Sequence, residues 1–130
     1  MHPALRSALD VVLADLDSAR LPRPVVREHD WSDVPDQCTA MLVSPDGSAM
    51  GVSVMTSESV ASRIADAADQ VQEWLIEEHW RSGAPTDWPP CPRHPTAHPL
   101  SASATDGVAR WICPLDGRPV AVVGRLAEAD

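Results

Sequence analysis

The residues best able to do chemistry crowd into one stretch, Cys91-Pro92-Arg93-His94-Pro95-Thr96-Ala97-His98-Pro99, and a distant complement, Trp111-Ile112-Cys113-Pro114-Leu115-Asp116-Gly117. Thiolate sulfur and imidazole nitrogen are the donors a tetrahedral Zn²⁺ prefers, and structural zinc sites are closed by four such side chains. Short local pairs completed by one distant donor limit the entropy cost of assembling the shell. A proline follows both Cys91 and Cys113 and stiffens the turn that presents each sulfur. The spacing therefore predicts one structural Zn²⁺ held by Cys91, His94, His98 and Cys113. Asp116 competes with His98 for the fourth place, because Cys113-x2-Asp116 mirrors Cys91-x2-His94. His98 is preferred: imidazole is the commoner partner of thiolates in closed sites, and Asp116-Gly117 is already explained as a hairpin turn.

Other readings of these residues are weaker. Buried thiols with solvated loop histidines are common, yet this proline-rich segment has few apolar residues of its own to fold around. A Cys91–Cys113 disulfide requires an oxidising compartment, and three cysteines are too few for a disulfide framework. A catalytic zinc keeps an open position beside a general base. Cys91, His94 and Cys113 alone would leave such a position, with Glu77, Glu78 and His79 as candidate neighbours. Glu-Glu-His-Trp is not His-Glu-x-x-His, however, and the deaminase pairing of His-x-Glu with Pro-Cys-x-x-Cys is absent. Cys38, at the start of an apolar run, reads as a core thiol. Glu28-His29-Asp30 alternates faces on an extended segment and reads as a solvated edge. No glycine-rich phosphate loop is present.

Net charge sharpens the functional reading. Nineteen acidic against ten basic residues leave −9, and two thiolates would cancel one Zn²⁺ without reversing that balance. Nucleic acid and anionic membrane surfaces are disfavoured, since both are gripped by basic patches. The chain carries five Trp but no Phe or Tyr, so the large apolar volumes come from Trp, Leu, Val, Ile and Met. No apolar run is long enough for a transmembrane helix, the N-terminus lacks a signal-peptide pattern, and the expected compartment is the cytoplasm.

The elements that must position the cluster follow from periodicity. Leu5, Leu9, Val12, Leu13 and Leu16 line one face of a helix from Pro3 to Arg20. Val25 to Trp31 reads as extended, and Cys38–Val43 with Ala49–Met55 flank Ser44-Pro45-Asp46-Gly47-Ser48 as a β-hairpin. A second helix runs from Ser57 or Ser59 to Arg81, with Val60, Ile64, Ala67, Ala68, Val71, Trp74 and Leu75 on its apolar face. Ser82-Gly83-Ala84-Pro85 ends it. Prolines then interrupt regular structure up to Pro99, before a hairpin of Val108–Ile112 and Val120–Val123. The prediction is an α+β fold in which two amphipathic helices pack on a small antiparallel sheet, in the order α-β-β-β-α, followed by a zinc-stapled hairpin. The division falls between residues 1–84 and 85–130.

Two resemblances accompany this reading. The two Cys-Pro-x-x turns with a hairpin after the second resemble the knuckles of zinc-ribbon and related Cys/His zinc modules over residues 89–126. The first knuckle departs from that pattern in having Cys-x2-His in place of Cys-x2-Cys. The α-β-β-β-α order over residues 3–82 resembles small adaptor folds of secretion-chaperone type. Together they imply a zinc-binding adaptor or regulatory protein working through a protein partner, with a homodimer left open. A zinc-dependent enzyme and a nucleic-acid-binding zinc module are the alternatives. Trp74, Trp80, Trp88 and Trp111 are expected to cover the junction between the two halves, with an exposed interaction surface as the rival role.

Overall fold

In a computed structural model of the chain, which describes residues 1–129, the first helix, α1, spans Pro3–Ser18. His2 caps it by accepting the Ala4 N–H on Nδ1 at 3.0 Å, and Pro3 occupies the first turn, where its missing N–H costs nothing. Leu5, Leu9, Val12, Leu13 and Leu16 are all buried, as the periodicity predicts. Strands β1 (Val25–Glu28), β2 (Gln37–Val43) and β3 (Ala49–Met55) form an antiparallel meander in that order. Cys38, Ala40, Leu42, Val52 and Val54 alternate inward on β2 and β3, which is the period of a half-buried strand.

β1 stops at Glu28, earlier than the sequence suggested. Past that point the chain turns Trp31 over the sheet, where its Nε1–H donates to the Ala40 carbonyl at 3.0 Å. Gly51 makes this close approach feasible, since a Cβ there would lie 3.2 Å from the indole.

Helix α2 spans Val60–Ser82, capped by the Ser59 hydroxyl and ended by Gly83 in the left-handed conformation at φ 77°. Its buried face is rotated slightly from the expected one. Ala61, Ala65, Ala67, Ala68, Val71, Trp74 and Leu75 are buried, whereas Val60, in the first turn, is 62% exposed. α2 packs on α1, on β3, and on two strands of a second sheet.

That second sheet corrects the expected hairpin. It has three strands, β4 (Ser101–Thr105), β5 (Val108–Ile112) and β6 (Pro119–Val122), again an antiparallel meander. Thr105 pairs with Val108, so Asp106 and Gly107 form a two-residue turn with φ 53° and 76°. Positive φ at both central residues is the turn whose twist suits a hairpin, and Asp-Gly adopts it readily. A short 3₁₀ turn, Leu126–Glu128, returns to α1. One buried cluster runs from Leu5 and Leu42 through Trp74 to Trp111, Cys91, Cys113 and Val123. No described helix is long and apolar enough to cross a membrane.

Candidate metal centre

The segment between α2 and β4 is pinched at its base before it presents any donor. Gln72, buried on α2, donates through Nε2 to the carbonyls of Trp88 at 3.2 Å and Leu100 at 2.6 Å. The Leu100 N–H donates to the Pro89 carbonyl at 2.7 Å, and Pro90 and Pro99 form an isolated bridge. Prolines suit this segment because few of its backbone N–H groups have a ladder to join. Above the pinch, the His94 N–H donates to the Cys91 carbonyl at 3.2 Å, closing the first turn. At the end of β5 the Gly117 N–H donates to the Cys113 carbonyl at 2.8 Å and the Cys113 N–H to the Arg118 carbonyl at 2.9 Å. The indoles of Trp88 and Trp111 meet edge to face at 5.6 Å.

These turns bring one ligating atom each from Cys91, His94, His98 and Cys113 within 4.8 Å of one another. Nδ1 of His94 stands 3.6 Å from the Cys91 sulfur and 3.5 Å from the Cys113 sulfur. Nε2 of His98 stands 3.8 Å from the Cys113 sulfur. Both cysteines are fully buried and both histidines half-buried. Nδ1 of His98 lies 3.0 Å from the Pro99 carbonyl, a contact that places the ring proton there and leaves Nε2 free as a donor to a metal. Two thiolates and two imidazoles so arranged fit a metal ion.

Asp116, the rival fourth ligand, is turned to other work. Its Oδ1 accepts the Arg118 N–H at 2.8 Å, and Arg93 donates to Oδ2 at 3.2 Å and to Oδ1 at 3.1 Å. The backbone N–H of Arg118, followed by Arg93, holds the Asp116 carboxyl at a pKa of about 2. Glu77, Glu78 and His79 lie outside the cluster, and Nδ1 of His79 contacts the Pro85 carbonyl at 2.6 Å. Cys38 is buried in the core of the first sheet, where desolvation raises its pKa and favours the neutral thiol. Glu28, His29 and Asp30 are exposed.

Three residues that matter to the centre escaped the sequence reading: Arg93, Gln72 and Asp15. Arg93 sits between two of the clustered donors, Cys91 and His94, which is itself a signal. Gln72 and Asp15 are polar residues on apolar helix faces, and their partners are too distant in sequence to suggest them. Of the tryptophans, Trp74, Trp88 and Trp111 are buried, whereas Trp80 is 75% exposed. An apolar groove of about 540 Å³ opens between the end of α1 and the proline-rich segment, lined in part by Leu21, Pro85, Trp88, Leu100 and Leu126. None of the four clustered donors lines it. Compared with protein families, with curated proteins and with solved structures, the chain matches none.

Proposed function

We propose that the chain is a zinc protein in which one Zn²⁺, held by Cys91, His94, His98 and Cys113, staples the proline-rich segment and the second sheet onto the helices. The observation that carries this reading is the spacing of the donors. Zn–S bonds of about 2.3 Å and Zn–N bonds of about 2.0–2.1 Å give a tetrahedron whose sulfur–nitrogen edge is about 3.6 Å. Three of the four sulfur–nitrogen separations in the cluster are 3.5, 3.6 and 3.8 Å, and the fourth, Cys91 to His98, falls within 4.8 Å. Two thiolates neutralise the ion, so the complete site brings no net charge into a partly buried setting.

A structural role fits better than a catalytic one. Four protein donors leave no place for a metal-bound water, both sulfurs are sealed from solvent, and the nearby groove receives none of the ligands. The folded chain then acts as an adaptor or regulator through a protein partner. Its charge of −9 suits a basic partner, and the exposed Trp80 on α2 offers an aromatic anchor of the kind enriched at interfaces. The cytoplasm suits a site built on reduced thiols. Purification from the native host, with wild-type chain and Trp80→Ala side by side, tests the role. A stoichiometric partner retained by the first and lost by the second is expected. Metal-dependent turnover of a small molecule by the isolated chain would contradict it.

A further inference from the structure

One ion pair joins the two metal-presenting turns without supplying a ligand. Arg93 belongs to the Cys91–His94 turn and Asp116 to the turn after Cys113, yet their side chains meet through two hydrogen bonds at 3.1 and 3.2 Å. Nη2 of Arg93 also reaches the Arg118 carbonyl at 3.5 Å. Asp116 is fixed from its own side by the Arg118 N–H at 2.8 Å, so the carboxylate is already aimed when the guanidinium arrives. Both residues are at the surface, with side chains 35% and 30% exposed. The fork-on-carboxylate geometry is directional in a way that a single contact is not.

We propose that Arg93 and Asp116 form an outer-shell clamp that retains the metal, locking the Cys91–His94 turn onto the Cys113–Arg118 turn. The clamp rests on the zinc reading above. Its two parts are distinct: Asp116, held by the Arg118 N–H, orients, and Arg93 bridges the turns. Partners of this kind commonly govern metal affinity while leaving the ligand set unchanged.

The test is a competition between the full-length protein and a chromophoric chelator for Zn²⁺, with the Co²⁺-loaded absorption spectrum recorded in parallel. Arg93→Ala is expected to weaken binding by about 10- to 100-fold. Asp116→Asn, which keeps an oxygen for the Arg118 N–H, is expected to weaken it comparably, and Arg93→Lys by less. The double variant Arg93→Ala/Asp116→Asn is expected to bind no more weakly than Arg93→Ala alone, because both changes remove one shared contact. All variants are expected to keep the tetrahedral Co²⁺ spectrum with its thiolate charge-transfer band, a readout that a lost ligand would move.

Wild-type affinity in Arg93→Ala would overturn the clamp while leaving the zinc site standing, as would fully additive losses. A changed Co²⁺ spectrum in Asp116→Asn would overturn it by making Asp116 a ligand. If Arg93→Ala fails to fold at saturating zinc, wild-type affinity in both Arg93→Lys and Asp116→Asn overturns the clamp equally. A wild-type chain that takes up neither ion would remove the zinc reading and the clamp together.

Discussion

The carboxylate of Asp15 on α1 accepts the indole N–H of Trp111 on β5 at 2.8 Å, across 96 residues of sequence and with both side chains buried. The same carboxylate accepts the backbone N–H groups of Gly124 at 2.7 Å and Leu126 at 2.9 Å. Gly124 reaches this position at φ 95°, so close to α1 that a Cβ would sit 2.8 Å from a methyl of Val11. A single side chain thus ties the first helix to the second sheet and to the segment after it. Asp15→Ala leaves the buried Trp111 indole and two half-buried backbone N–H groups without an acceptor and should lower stability by about 3 kcal/mol. Asp15→Asn should recover only part, because an amide accepts through one oxygen. Urea denaturation of zinc-loaded protein measures both.

Gln72 makes a second such tie, from α2 to both ends of the loop that carries Cys91, His94 and His98. Gln72→Leu preserves approximate bulk but strands the carbonyls of Trp88 and Leu100. A loss of about 2 kcal/mol is expected, accompanied by faster zinc transfer to a chelator. Equal stability and equal transfer in the variant would contradict the loop's dependence on this side chain.

pH should act through a different cluster. The Asp66 carboxyl is raised to about 6, first by desolvation and then by Glu58 and Asp69. A carboxyl whose folded pKa exceeds its unfolded value of about 4 destabilises the fold once ionised. The penalty is absent below about pH 4 and complete above about pH 6. Asp66→Asn should therefore raise the melting temperature at pH 7, by the equivalent of about 1 kcal/mol after screening at the surface. The gain should shrink as the pH is lowered toward 4, and a gain independent of pH would contradict the assignment.

Much of this architecture is written in local pattern. α1, the β2–β3 hairpin and α2 each carry a periodicity that burial then follows, and the four donors are marked by their own spacing. What escaped was non-local. Ser101-Ala102-Ser103-Ala104-Thr105 has neither the bulk nor the apolar alternation of an ordinary strand, and it is ordered by pairing with β5 along its whole length. The turn of Trp31 over the sheet depends on a missing side chain at Gly51, one strand beyond the strand whose carbonyl it contacts. Asp15 and Gln72 look like interruptions of apolar faces until their distant partners are placed. The engagement of Asp116 by the Arg93 guanidinium was likewise hidden, since Cys113-x2-Asp116 spacing alone gives no hint of it.

The central claim is tested most directly by the metal content and coordination of protein purified without chelators. One Zn²⁺ per chain is expected, with an X-ray absorption spectrum of two sulfur and two nitrogen ligands at about 2.3 and 2.0–2.1 Å. Cys113→Ser should lose the ion, and EDTA should lower the melting temperature of the wild-type chain. A chain that binds no zinc, and melts identically with and without EDTA, would contradict the account.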